Sequence, residues 1–201
     1  MRRGVALAIM VGLLLASPRA QAQVRWDVGV SGGAAARFLS SRPAGEGEAS
    51  AGPSFEAEGH IVVFPLVRVG AYLHFDESPI AGNGFDVTRD VVAGGLDLRV
   101  VSPWPHGNAR VYLRAGIGEA GVGVPSRTAF GGERVPGSGG RFTEVPVALG
   151  VAYRPYSPFW LTAEAGARVG FAFGGAAYGA GGSVGEDAAA VYGCVGVMWG
   201  R

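Results

Sequence analysis

Apolar residues recur at every second position along most of this chain. Phe55, Ala57, Gly59, Ile61 and Val63 share one face, and Glu56, Glu58, His60, Val62 and Phe64 the other. The same alternation returns in Val67–Phe75 and Val92–Val100, with Arg68, Gly70, Tyr72, His74, Asp97 and Arg99 on the second face. It continues through Val111–Ile117, Val145–Tyr153 and Phe159–Phe173, where Arg110, Tyr112, Arg114, Glu144, Trp160, Thr162, Glu164 and Arg168 take the less apolar side. Trp26, Val28 and Val30 open the series, and Val191, Val195, Val197 and Trp199 close it. A period of two marks strands with one apolar face, so eight strands are predicted. Most runs reach ten residues, longer than the roughly 5–6 of soluble strands and close to the about 9–11 that cross a bilayer with tilt.

The connections alternate in length. Short ones fall around Pro65-Leu66, Ser102 to Asn108 and Arg154 to Pro158, each with a proline. Long ones run from Arg37 to Pro53, Asp76 to Phe85, Pro125 to Arg141 and Gly174 to Asp187. Outer-membrane barrels have short periplasmic turns and longer outside loops, and an even strand count returns both termini to the turn side. The tryptophans Trp26, Trp104, Trp160 and Trp199 all fall at the turn ends of the predicted strands and are assigned to a membrane-interface girdle. Phenylalanines such as Phe55, Phe75 and Phe171 fall near the opposite ends.

A soluble barrel would carry the same alternation with its apolar face inward. The less apolar face here is rich in Gly and Ala, and only 16% of all residues are charged, too few for a solvated exterior. The prediction is therefore an all-β, eight-stranded antiparallel up-and-down transmembrane β-barrel.

The N-terminus changes the domain picture. Arg2 and Arg3, an apolar run from Val5 to Ala16, and Ala20-Gln21-Ala22 form the three parts of an export signal. Residues 1–22 are read as a secretory signal peptide and 23–201 as the barrel domain. Removing Arg2, Arg3 and Arg19 from the 17 basic residues leaves 14 against 16 acids, so nucleic acid is not an expected partner. The single cysteine, Cys194, gives no internal disulfide and is placed inward on the last strand as a space filler.

With the charged face inward, the interior should be a structural ion-pair network of Glu56, Glu58, His74, Asp97, Arg110, Glu144 and Arg168. Folding about the short turns sets Glu56 near His74, Glu58 near Tyr72 and Glu144 near Arg168, with Asp97 close to Arg110. Eight strands leave just enough width for side chains to fill the lumen.

The chain resembles the small eight-stranded outer-membrane proteins of the A and X types over residues 23–201. The resemblance rests on the Ala20-Gln21-Ala22 exit, the alternating strands and the last strand Val195-Gly196-Val197-Met198-Trp199. It implies an outer-membrane location with lipid as the surrounding partner. It also implies assembly by the barrel-assembly machinery, which reads a terminal aromatic; here Gly200 and Arg201 follow Trp199.

Two catalytic-looking motifs are set aside. Gly116-Ile117-Gly118-Glu119-Ala120-Gly121 fits a dinucleotide fingerprint but has no following helix to meet a phosphate. Gly181-Gly182-Ser183-Val184-Gly185 fits a nucleophile elbow but falls in a loop. Glu56 with His74 is the one acid–base pairing, without an obvious strand-borne serine, and His60, His74 and His106 form no metal-ligand spacing. The expectation is a non-enzymatic barrel without cofactor or metal, serving envelope structure or surface contact through an unidentified loop partner. A narrow pore or a path for small apolar molecules is the alternative, and a lipid-modifying hydrolase a more distant one.

Overall fold

The structure is a computed structural model that describes residues 25–39, 46–49, 51–82, 85–103, 108–124, 127–128, 134–135, 138–175 and 188–200. Residues 1–22, which the sequence reading assigns to a signal peptide, and Trp104, His106 and Ser183 lie outside the described residues.

Eight long strands carry the fold: β1 (Trp26–Leu39), β2 (Gly52–Phe64), β3 (Val67–Gly82), β4 (Phe85–Val101), β5 (Ala109–Val124), β6 (Ser138–Tyr156), β7 (Phe159–Gly175) and β8 (Ala188–Gly200). Each pairs antiparallel with its sequence neighbours, and β1 pairs with β8 from Asp27↔Gly200 to Leu39↔Ala188, so the sheet closes on itself. Closure removes every sheet edge, which is what lets strands stand in hydrocarbon without orphaned backbone groups. Among the described residues there is no helix. A short strand Glu46–Ala49 adds to β3, and Arg127–Thr128 pairs with Arg134–Val135.

The turns at Pro65-Leu66 and Ser157-Pro158 are two residues long and fix the neighbouring registers. At the other end the strands outrun their hydrophobic pattern. Asp76 to Phe85 is expected as a loop, but Asp76–Gly82 and Phe85–Val91 instead continue the β3–β4 hairpin, paired from Asp76↔Val91 to Gly82↔Phe85. The alternation persists there in polar form. Ser78 and Arg89 are buried inside, while Asp90 faces out. Beyond the lipid, an outward position no longer has to be apolar, so the hydrophobic signal stops before the ladder does.

The lumen is filled in layers. Val91, Ala93, Ala120, Val122 and Phe142 form an apolar cluster toward the loop end, and Val101, Tyr112, Ala152, Trp160 and Met198 another toward the turn end. Inward glycines make room for the large rings. A Cβ at Gly150 would sit 2.1 Å from Cζ of Tyr112, the residue facing it across the β5–β6 ladder. One at Gly166 would lie 2.9 Å from the ring of its partner Tyr192. Rings laid flat over glycine explain part of the glycine content of so narrow a barrel.

Candidate functional site: the two faces of the barrel wall

The outer face is an apolar belt. Val195 is 69% exposed, Val30 65%, Leu96 64% and Leu149 56%, and the remaining outward positions at these levels are mostly Val, Leu, Ile, Ala or Gly. On β6 the uncharged outward run extends from Thr143 to Tyr153; with ~3.3 Å rise and ~40° tilt it stands roughly 25 Å tall, the height of a hydrocarbon layer. Rings border it at the turn end. Trp26 and Trp199 meet edge to face at 5.0 Å, and Tyr156 and Phe159 at 5.6 Å. Phe55 and Phe75 face each other across the ladder toward the loop end.

The inner face carries the charge, in one connected network with two tiers. In the tier nearer the loops, Arg37 donates to Asp76 at 3.2 Å and to Glu144 at 3.1 Å. Arg168 donates to both oxygens of Asp76, at 2.8 and 2.9 Å, and to Glu56 at 3.2 Å. His74 Nε2 lies 2.6 Å from Glu144 and its Nδ1 3.5 Å from Asp76. Ser54 Oγ donates to Asp76 at 2.6 Å.

The lower tier centres on Arg114, which donates to Glu56, to Asp97 and, at 3.2 Å, to Glu164. Arg99 donates to Glu58 at 2.6 Å and lies 4.3 Å over the Tyr112 ring. His60 bridges Asp27 at 3.1 Å and Asp97 at 3.2 Å, and Arg68 donates to Asp27 at 2.6 Å. Tyr192 donates to Glu164 at 2.7 Å beneath Arg168, which stands 3.9 Å over its ring. Glu56 joins the tiers.

These bonds connect seven carboxylates with five guanidiniums and two imidazoles. Each ring nitrogen of His60 faces a carboxylate, which only accepts, so the doubly protonated ring satisfies both. With both histidines doubly protonated, the charges joined by these particular bonds balance. Charges taken this far from water must be paired and hydrogen-bonded to offset their lost hydration.

An apolar exterior around a paired ionic interior is the reverse of a water-soluble barrel. No family model matches the chain, and no curated protein matches it. Among solved structures it is similar to the neisserial surface protein A (NspA). The TM-score is 0.60 and the identity 15%, over 87% of this chain and 96% of that one. It is also similar to Ail, the attachment invasion locus protein of Yersinia pestis. There the TM-score is 0.50 and the identity 8%, over 88% of this chain and 99% of that one. The fold is that of a small eight-stranded outer-membrane barrel. At these identities the likeness is one of fold.

Within the barrel, the residues singled out from sequence are placed as follows. Glu56 stands opposite His74, and Glu58 opposite Tyr72, in the β2–β3 register. Glu56 bonds Arg114 and Arg168, however, and His74 bonds Glu144. Glu144 and Arg168 do not face each other. The turn at Ser157-Pro158 and an irregularity between Phe159 and Leu161 set Arg168 against Pro146 and Glu144 against Gly170. Asp97 and Arg110 are also apart. Asp97 faces Gly116, six residues or roughly 20 Å along β5 from Arg110, so Arg114 reaches it instead.

Trp160 corrects the girdle assignment. It is 8% exposed and points into the lumen, against Val101, Met198, Arg110 and Arg154, while Trp26 and Trp199 face outward. Its parity with Thr162 and Glu164 decides its direction. Cys194 faces inward, half-buried. Sequence reasoning missed Asp27, Arg37, Ser54, His60, Arg68, Asp76, Arg99, Arg114, Glu164 and Tyr192 as network members. Ser54 and Glu164 share inward parity with residues that were recognised, and Arg37 and Asp76 fell in segments read as loops.

Ser54 is the strand-borne serine absent from the sequence reading, yet its hydroxyl is spent on Asp76, with His74 on the far side of that carboxylate. A nucleophile needs the base at its own oxygen. Glu58, His60 and Asp97 bring ligand atoms within 4.8 Å of one another, the spacing of a metal site. Arg99 on Glu58, Arg114 on Asp97 and Asp27 on His60 already pair with these three residues, so the set fits ion pairing better than a cation.

Proposed function

We propose that this protein is a closed, non-enzymatic barrel of a bacterial outer membrane, with its termini and short turns on the periplasmic side. Its work is envelope support or surface contact through the long connections. The observation that carries this reading is the filled lumen. Arg37, Arg168 and Arg114 cross it at 0–1% side-chain exposure, each tied to carboxylates from other strands. Apolar clusters at the loop and turn ends flank that network. An ion entering would have to displace several charge-assisted bonds at once, among side chains with almost no solvent exposure. The assignment of sides follows from the two-residue turns at one end, the arrangement found at periplasmic ends.

The test is electrical. Reconstituted into planar bilayers in molar potassium chloride, the purified protein is expected to give no discrete current steps. Reproducible unitary steps would replace this reading with a narrow pore.

A further inference from the structure

Among the described residues, positive charge outnumbers negative at the turn-end mouth of the barrel. The last inward layer at the turn end presents Arg25, Arg68, Arg110 and Arg154, which line a single open cavity of about 380 Å³ with Asp27 and Trp160. Asp27 is the lone carboxylate among the lining residues, and it is committed to Arg68 and His60. Arg110 and Arg154 form no ion pair among the described residues; their guanidiniums instead stand 5.2 and 5.1 Å from the Trp160 ring centre. The Trp160 side chain thus holds two cations at the mouth where a water-exposed arginine would otherwise swing free.

Like charges gathered in a recess with low-dielectric walls raise a strong positive potential inside it. The guanidinium fork matches the oxygens of phosphate in paired hydrogen bonds, better than a lysine would. The interior network uses arginine to neutralise carboxylates, whereas of this layer only Arg68 has a carboxylate partner among the described residues. From this cavity we infer a binding site for a phosphate-type oxyanion at the turn-end mouth. The phosphate is either free in solution or the headgroup of a lipid whose chains lie along the adjacent rim. The inference does not depend on whether the lumen conducts.

The test uses the folded full-length barrel in a nonionic, phosphate-free detergent, with inorganic phosphate and dihexanoyl phosphatidic acid titrated separately by calorimetry. Tryptophan fluorescence is followed in parallel. At least one probe is expected to bind saturably and to shift the emission. The Arg110→Gln/Arg154→Gln variant, checked for folding by heat-modifiable gel migration, should bind tenfold or more weakly. Binding of inorganic phosphate identifies a solution anion as sufficient; binding of the lipid alone assigns the headgroup. No saturable binding of either probe into the tens of millimolar, or equal affinity in the double variant, would overturn the site.

Discussion

Arg114→Ala should lower the barrel's unfolding free energy by about 3–5 kcal/mol, the range for removing one partner of a buried ionic group. Arg114 is 1% exposed and is hydrogen-bonded to Asp97, Glu56 and Glu164 together. Glu58 is within 3.6 Å as well. Deleting the guanidinium leaves these acids facing one another across a space that water cannot freely enter. The loss thus comes less from the bonds removed than from the charges stranded. The control is the Arg141–Glu119 pair at 3.7 Å, whose side chains are 82% and 70% exposed. Arg141→Ala should cost less than about 1 kcal/mol, since exposed pairs are screened and pay to order both side chains. Urea titrations of protein folded in phospholipid vesicles measure both. Equal, small effects would mean that the interior is wet enough to screen its own charges.

Leu149→Arg carries the second large effect, and it acts on the opposite face of the wall. Leu149 lies near the middle of the outward Thr143–Tyr153 run and is 56% exposed. If acyl chains cover it, a guanidinium there costs about 2–4 kcal/mol, whereas Thr143→Arg at the rim of the same strand costs about 0–1. If water covered it, both substitutions would be near neutral, as charges on an exposed strand are. The comparison is made in vesicles, by the same titration, and the depth dependence is the informative quantity. A flat profile along β6 would remove the lipid from the account.

These two faces were unequally legible from the sequence. The outward rule concerns one residue at a time: whatever its neighbour, a side chain in hydrocarbon is apolar, so Val28, Leu96, Leu149 and Val195 declare themselves by parity alone. The inward rule concerns partners, and partners depend on register. Asp97 was expected beside Arg110 because both are inward and close in sequence. It takes Arg114 because the β4–β5 pairing sets it against Gly116. Arg168 was expected to meet Glu144, but the turn centres on Ser157-Pro158 and not on Tyr156, which offsets them, and Arg168 crosses the lumen to Asp76 and Glu56.

Hydrophobicity also misjudged where strands end. By hydrophobicity Asp76 starts a loop, yet it receives bonds from Ser54, Arg37 and Arg168. Trp160 shows the opposite failure. Its parity puts it inward, and in the barrel the period of the strand outweighs the tendency of tryptophan to sit at membrane borders. The arginine-lined mouth could not be found from sequence at all. Arg25, Arg68, Arg110 and Arg154 are spread along the chain and converge only when the barrel closes.

The most direct measurement places a nitroxide on the outer wall. In a Cys194→Ser background, Val195→Cys is labelled and the protein reconstituted into phospholipid vesicles; Val195 is 69% exposed, next to an inward position. Dissolved oxygen, which concentrates in hydrocarbon, should relax this label strongly, and a water-soluble nickel chelate should scarcely touch it. A nickel response as large as that of a label at solvent-exposed Arg141 would show that water wets the valine face, contradicting a barrel in a membrane.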